Sequence, residues 1–364
     1  MVRLGELARG RDNNLNLIRM VAATAVLVSH AWPLTMGPSA IEPLNDSVGH
    51  SLGRISVYIF FVISGFLITA SFERSETLFR FVAARVMRLM PGLVVSLVFV
   101  AFVLGLLVTQ LPAGAYLTAP DTWTFLLSNT LLVSPQYRLP GVFVNNPFPA
   151  VEGSIWTLFY EVACYGLVFL LGVGAMLRQN RLAIFVCAYA TLCAGVLAFG
   201  AELLPYKLYR LLLLSLPFVV GMGAWAWRDR LPLSGVAAIG LWIAAYLLHD
   251  TPVAYLAFIL ALSYATFWLA YVPGGWIRNY NRLGDYSYGM YIYAFPLQGL
   301  VVMLFGATSI WLHVAIATPI TLLAAVLSWR LVEEPALKVL KGEGLQRLED
   351  SLPPRLMEIN RLQA

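Results

Sequence analysis

Long apolar segments separated by short polar gaps recur along the whole chain. We count ten, each close to the length that a helix needs to cross a hydrocarbon core of roughly 30 Å. They lie near residues 15–33, 52–72, 90–110, 153–173, 182–200, 208–227, 233–248, 253–272, 286–305 and 310–331. The segment 233–248 is the shortest, and the apolar stretch 123–134 is too short to cross, so we assign it to a loop. The pattern predicts an all-α membrane protein, a bundle of about ten transmembrane helices.

The composition supports one membrane domain. The 364 residues are 60% hydrophobic and 12% charged, whereas a soluble domain is about a quarter charged. We expect an N-terminal segment over 1–14, a transmembrane domain over 15–335 and a tail over 336–364. The first apolar segment follows several arginines and is long enough to anchor the chain, so we expect it to be retained rather than cleaved as a signal peptide.

The positions of lysine and arginine predict the orientation. Ten spans place both termini on one side, and 20 of the 24 basic residues fall on that side. The other side has four, Arg54, Arg138, Lys207 and Arg210. Because cytoplasmic loops carry the excess of basic residues, both termini are predicted to be cytoplasmic. The net charge of +5 fits this rule and anionic lipid headgroups. We predict no nucleic-acid partner, since the chain lacks a basic stripe interleaved with aromatic residues.

The first apolar segment contains Arg19 and His30. They are 11 residues apart, a spacing that returns to within about 20° of the same helical face, roughly 16 Å along the axis. A charged group near the bilayer centre costs about 2.5–3.5 kcal/mol on insertion scales, so intramembrane ionisable residues usually have a function. The pair predicts a site that runs through the membrane, although an interfacial histidine held by a hydrogen bond is the simpler interpretation of His30.

A second polar stripe follows the long, proline-rich loop over 111–152. Ser154, Thr157, Glu161 and Tyr165 project within about 60° of one another on a helix. This span enters from the outer side, so Glu161 reaches a depth comparable to that of His30. A carboxylate beside a histidine can fix its tautomer and stabilise its charged form. The alternative is that Glu161 satisfies a buried arginine or backbone group.

Two further groups are less specific when taken alone. Arg85 and Arg88 share a helical face near the inner end and, with Arg19, suit an anionic ligand such as a phosphate. Cytoplasmic loops of membrane proteins are generally rich in arginine, so these residues can also be explained by membrane topology without a ligand. In the stretch 284–291, Asp285 can cap the ninth span, and Tyr288 points its hydroxyl into the bundle.

Six short motifs occur in a fixed order over about residues 13–336. They are Asn16-Leu17-Ile18-Arg19 with His30, the segment 60–68, Arg85-Val86-Met87-Arg88-Leu89-Met90-Pro91, Ser154-Ile155-Trp156-Thr157-Leu158 with Glu161, Tyr286-Ser287-Tyr288, and Glu333-Glu334-Pro335. In this order they resemble the acyltransferase-3 family of polytopic membrane acyltransferases. Two positions depart from the family's usual pattern: Ala84 stands where an arginine is frequent, and Ala294 where a histidine is. Some members of that family carry a fused periplasmic hydrolase-like domain, and we expect none here.

The resemblance implies transfer of an acyl group, usually acetyl, from cytosolic acyl-CoA to a hydroxyl. It also implies a multi-pass protein of the bacterial inner membrane. The acceptor is expected to be a cell-surface or lipid-linked carbohydrate, with a small secondary metabolite as the alternative. Acyl-CoA is a donor substrate, and we expect no permanently bound cofactor and no metal. The oligomeric state is left open.

The resemblance and the helical geometry together assign roles. Arg19, Arg85 and Arg88 are expected to bind the phosphates of CoA, and His30 to act as general base or as a transient acyl carrier, with Glu161 orienting it. The acceptor site is predicted to include Ser154, Trp156, Thr157 and Tyr288. A transporter or flippase is the competing class, but its usual matched broken helices in two halves are missing from the pattern. A scaffold without catalysis is a further alternative.

Overall fold

The regular structure of the protein is helical throughout the residues that the structure, a computed structural model, describes: 2–10, 12–200, 202 and 204–339. The longer helices are α1 (Leu15–Met36), α2 (Leu52–Arg74), α3 (Leu78–Val108), α4 (Pro120–Leu131), α5 (Trp156–Val173), α6 (Gln179–Phe199), α7 (Tyr206–Ala226), α8 (Gly235–Leu247), α9 (Ala254–Tyr271), α10 (Ser287–Phe305) and α11 (Ile310–Val339). Shorter helices are Leu4–Leu7, Pro43–Val48, Ala113–Thr118 and the 3₁₀ helix Gly275–Arg282.

The all-α membrane bundle predicted from the sequence is confirmed. In the described part of the chain, nine helices are long and apolar enough to cross a membrane. The predicted span 233–248 differs, because it forms only the 13-residue α8, which is about 20 Å long against a hydrocarbon core of about 30 Å. Ser234 caps its start by accepting a hydrogen bond from the Ala237 amide, and the polar pair His249 and Asp250 follows its end.

The proline-rich segment 111–152 contains regular structure that the sequence analysis assigned to a loop. Pro120 begins the 12-residue α4, since a proline at the first helical position needs no amide partner. Its buried residues Thr122, Phe125 and Asn129 turn toward the bundle, and α4 packs against α3. The helix is too short to cross, as expected of the stretch 123–134, but it fills space beside α3 rather than lying in solvent.

The core of the bundle is built from closely packed helices around α10. Residues 285–299 are all buried, so α10 is the central helix. Helices α2 and α7 approach each other at two glycines: a Cβ on Gly65 would lie 1.9 Å from the Phe218 carbonyl oxygen, and one on Gly221 would lie 2.2 Å from that of Val62. Only residues without a side chain permit this contact, which explains the glycine in the motif at 60–68.

Several segments that are distant in sequence meet at one end of the bundle, called here the terminal end. The Leu4 amide donates to the Leu231 carbonyl, and the Asn14 side chain donates to the carbonyls of Leu269 and Pro273. Glu333 lies at the same end, close to Arg88. The described beginning of the chain and Glu333 of α11 therefore lie at the same end of the bundle. The predicted tail lies outside the described residues beyond residue 339.

Candidate active site

Four charged side chains from four helices or their flanks form a cluster at the terminal end, called here the charge cluster. Asp285 Oδ2 accepts from Arg19 at 2.7 Å and from Arg88 at 2.5 Å, and Arg88 is also 3.5 Å from Glu333 Oε2. Burial by itself would raise the pKa of Asp285, but the two guanidinium groups outweigh it and lower that pKa to about 2. Asp285 also accepts hydrogen bonds from the amide and the hydroxyl of Ser287, at the start of α10. The same carboxylate therefore binds two arginines and the first residue of a helix.

The charge cluster borders a cavity of about 210 Å³, called here the terminal cavity. Six of the predicted site residues line it, Arg19, Arg85, Arg88, Thr157, Glu161 and Tyr288. The structure therefore brings together the arginines of two helices and polar residues of two others. Tyr288 is held in place by donating to the Leu89 carbonyl at 2.9 Å.

Arg85 differs from the other two arginines in its partners. Its guanidinium donates to Ser71 Oγ at 3.2 Å and lies 5.7 Å from the centroid of the Phe81 ring. Its Nε is buried without a hydrogen-bond partner, and no carboxylate of the described residues lies within ion-pair distance. Arg19 and Arg88 are neutralised by acidic side chains, so Arg85 is the arginine of this cavity whose charge is most available to an anionic ligand.

Glu161 is held by hydroxyl groups. Tyr165 donates to its Oε1 at 2.5 Å, and Ser64 donates to the same oxygen at 3.3 Å. No hydrogen bond joins Glu161 and His30 among the described residues, whereas the sequence analysis expected Glu161 to orient His30. The two side chains line different cavities.

His30 lines a larger cavity of about 600 Å³ at the other end of the bundle, called here the far cavity. Its ring packs edge-on against Phe295, with centroids 5.2 Å apart, and its Nδ1 is buried without a hydrogen-bond partner. The His30 side chain thus has no hydrogen-bond partner among the described residues. The simpler interpretation, an interfacial histidine held by a hydrogen bond, is therefore not supported. An imidazole that lines a cavity is suited to exchange a proton with a molecule bound there.

The two cavities meet at a shared wall, since Val57 and Tyr291 line both of them. Tyr291 donates its hydroxyl to the Ser154 carbonyl at 2.6 Å, and its oxygen lies 2.5 Å from Thr157 Oγ1. These contacts fix the wall to the start of α5. The two cavities therefore lie toward opposite ends of the bundle and share part of their lining.

The four predicted acceptor residues fall in different places. Trp156 lines the far cavity, whereas Thr157 and Tyr288 line the terminal cavity. Ser154 is buried and lines neither, because its backbone carbonyl is taken by Tyr291 and its hydroxyl is enclosed without a partner. The start of α5 thus contributes side chains to both cavities.

Other residues of the site had no assigned role in the sequence analysis. Ser64 lies in the motif at 60–68, but nothing in the sequence shows that it faces Glu161. Arg210 lines the far cavity, with its guanidinium 4.9 Å from the Trp156 ring centroid and 4.8 Å from that of Tyr206. For Arg210 the sequence did offer a signal, because it is one of only four basic residues predicted on that side of the membrane.

The described part of the chain is thus a helical membrane bundle with two cavities that share Val57 and Tyr291 in their lining. The chain belongs to the acyltransferase-3 family: the family model described as "Acyltransferase domain" matches residues 12–330. The protein is therefore a multi-pass membrane acyltransferase.

Two curated relatives align over nearly their full lengths. An "O-acetyl transferase" of Shigella phage Sf6 is 29% identical over 341 residues, covering 89% of this chain and 96% of the relative. "Nodulation protein 10" of Rhizobium leguminosarum bv. viciae is 28% identical over 367 residues, covering 92% of this chain and 95% of the relative. No solved structure gives a significant match.

Proposed function

We propose that the protein transfers an acetyl group from cytosolic acetyl-CoA to a hydroxyl of a cell-surface or lipid-linked carbohydrate. Membership of the acyltransferase-3 family supports acyl transfer. The phage relative named as an O-acetyl transferase supports acetyl as the group and oxygen as the acceptor atom. We assign the protein to the bacterial inner membrane, with the terminal end facing the cytosol as the distribution of lysine and arginine predicts.

The observation that carries the proposal is the wall shared by the two cavities. Because Val57 and Tyr291 border both, a donor in the terminal cavity and an acceptor in the far cavity would approach the same two side chains within the bundle. Neither substrate then has to cross the membrane completely.

The terminal cavity is suited to the phosphate-bearing end of CoA. Arg85, with no carboxylate partner among the described residues, is the first candidate for a phosphate, since guanidinium and phosphate form charge-assisted hydrogen bonds. Arg19 and Arg88 line the same cavity and add positive potential, reduced by Asp285. The narrow pantetheine arm then extends from Arg85 toward Val57 and Tyr291 with the thioester at its tip.

His30 supplies the proton chemistry on the acceptor side. In direct transfer, the imidazole accepts the proton of the acceptor hydroxyl while that oxygen attacks the thioester carbonyl. The ester C–O bond forms, the C–S bond breaks, and the proton passes to the sulfur of the departing CoA. In the alternative route, the acetyl group resides first on His30 and then moves to the acceptor. Both routes require the thioester to reach the imidazole in the far cavity.

The experiment is an assay of the purified full-length protein in proteoliposomes with labelled acetyl-CoA. We expect free CoA to be released in step with labelled ester on the carbohydrate fraction. Labelled acetyl-CoA crossing the membrane unchanged, without release of CoA, would favour a transporter and contradict the proposal. Mass spectrometry of protein exposed to the donor alone distinguishes the two routes, because only the second leaves an acetyl group on His30.

A further inference from the structure

The far cavity contains an unusual concentration of positive charge for its side of the membrane. Only four lysines and arginines are predicted on this side, and two of them, Arg54 and Arg210, line the same cavity. The excess of basic residues on the opposite side is explained by topology. Topology does not explain two arginines that converge on a cavity here, so a ligand is the better explanation.

Neither of the two arginines is neutralised by a neighbour. Among the described residues, no carboxylate lies within ion-pair distance of Arg54 or Arg210. One acidic residue, Glu42, lines the cavity, but its two oxygens are occupied, since Ser29 donates to one and the Leu52 amide to the other at 2.7 Å. The cavity lining therefore contains two guanidinium groups and one carboxylate, and the net charge of these side chains is positive.

Arg210 is held in a defined orientation. Its guanidinium lies between the rings of Trp156 and Tyr206, at 4.9 and 4.8 Å from their centroids. Packing of this kind fixes the plane of the guanidinium while leaving its N–H groups at the edge of the plane. A fixed fork of N–H donors matches the two oxygens of a carboxylate or the oxygens of a phosphate. Trp156 follows Ser154 and Ile155 at the start of α5, so this arginine is anchored to the wall between the cavities.

We propose that the acceptor is an acidic carbohydrate, whose carboxylate or phosphate is bound by Arg210 and Arg54 while a neighbouring hydroxyl reaches His30. The inference rests on the proposed function for the identity of the reaction and adds the charge of the acceptor. His30, Arg54 and Arg210 line one cavity, so an anion and a reactive hydroxyl of one sugar unit can be bound together.

The test compares three acceptors of equal length in the proteoliposome assay: an oligoglucuronate, a phosphorylated oligoglucose and a neutral oligoglucose. The wild-type protein is expected to use one or both charged acceptors at least about tenfold better in kcat/KM than the neutral one, because charge-assisted hydrogen bonds to the anion are lost with the latter. Preference for the uronate identifies a carboxylate as the recognised group, and preference for the phosphorylated chain identifies a phosphate. Equal use of all three would overturn the proposal.

Matched variants separate the cavity arginines from charge in general. Arg210→Gln and Arg54→Gln are expected to reduce the preference for the charged acceptor about tenfold or more, with the KM for acetyl-CoA unchanged. Lys207→Gln and Arg138→Gln remove a charge from the same side but from residues that do not line the cavity, and should keep the preference. An equal loss for charged and neutral acceptors in Arg210→Gln would show a structural role and contradict the proposal.

A binding measurement makes the result independent of turnover. Equilibrium dialysis of labelled oligoglucuronate and phosphorylated oligoglucose, without donor, should show retention by the wild-type protein that weakens as salt is added and is lost in Arg210→Gln. If no acceptor is acetylated but this binding is seen, the proposed function fails while the anion site stands. If acetylation proceeds but neither charged chain binds better than the neutral one, the anion site fails alone.

Discussion

The guanidinium of Arg19 donates to the carboxylate of Asp285 at 2.7 Å, across 266 positions of sequence. This ion pair joins the start of α1 to the approach to α10. Arg88 shares the same carboxylate oxygen at 2.5 Å, so one acidic side chain connects three helices around the terminal cavity. The position of the cavity walls therefore depends on Asp285.

Replacing Asp285 by Asn is expected to destabilise the protein strongly. The substitution leaves two partly buried guanidinium groups without their shared carboxylate, and breaking a buried pair from one side costs about 3–5 kcal/mol. The measurement is the thermal unfolding midpoint in detergent. The control is Glu76→Gln, which breaks the exposed pair with Arg80 and should cost about 0–1 kcal/mol. Similar midpoints for both variants would contradict the assigned importance of the cluster.

Arg85 and Arg88 are expected to respond differently to the same change. Arg85→Gln should raise the KM for acetyl-CoA about tenfold or more while leaving the unfolding midpoint nearly unchanged, because a charge-assisted bond to phosphate is worth about 1.5–3 kcal/mol. Arg88→Gln should lower the midpoint, since Glu333 loses its ion-pair partner and Asp285 loses one of its two. Donor saturation curves and thermal unfolding of both variants check this. A donor KM that stays at the wild-type value in Arg85→Gln would remove Arg85 from the donor site.

His30→Ala is expected to lower the rate of acetyl transfer about 10²–10⁴-fold, the usual contribution of a general acid–base group. The folded, membrane-inserted protein should be retained, because the His30 Nδ1 makes no hydrogen bond in the structure. Turnover is measured as CoA release in proteoliposomes. His249→Ala, at an exposed histidine outside both cavities, should leave the rate unchanged. Turnover of His30→Ala at the wild-type rate would exclude the proposed role.

Glu152 predicts a pH dependence of stability. Burial raises the pKa of its carboxyl from 4.5 to about 7, although the backbone amides of Ser154, Gly153 and Ile155 partly oppose the shift. The folded protein then holds a proton that the unfolded chain releases, so this residue's contribution to stability falls as the pH rises from about 4.5 to 7, by on the order of 1–3 kcal/mol. Glu152→Gln should flatten the change in unfolding midpoint between pH 5 and pH 8. Asp121→Asn, at an exposed position, should not, and equal slopes for both variants would contradict the prediction.

The membrane bundle could be predicted because apolar length and periodicity are local properties of the sequence. The limits of α8 depended on finer signals, namely the cap at Ser234 and the polar pair after Leu248. The helix α4 was assigned to a loop because prolines were counted as helix breakers, yet Pro120 stands at the first helical position, where it is tolerated.

Much of the candidate site could also be predicted, since intramembrane polar residues are few. Their pairings could not be. Arg19, Arg88 and Glu161 were identified as single residues, but their partners Asp285 and Ser64 lie on other helices or their flanks and are set by how the helices pack. The separation of His30 from Glu161 into two cavities likewise depends on Tyr291, whose place at the wall follows from its contact with the Ser154 carbonyl.

The short helix α8 gives the protein a sensitivity to the lipids around it. Its 13 residues fall short of an average hydrocarbon core by about 10 Å, and it pairs mainly with α9 and exposes most of its apolar side chains. Such hydrophobic mismatch is relieved by local thinning of the bilayer, at a cost that grows with each ångström. Lipids with shorter acyl chains should therefore gather beside α8 and α9 and stabilise that side of the bundle. The stability of this side of the bundle should therefore depend on the thickness of the host membrane.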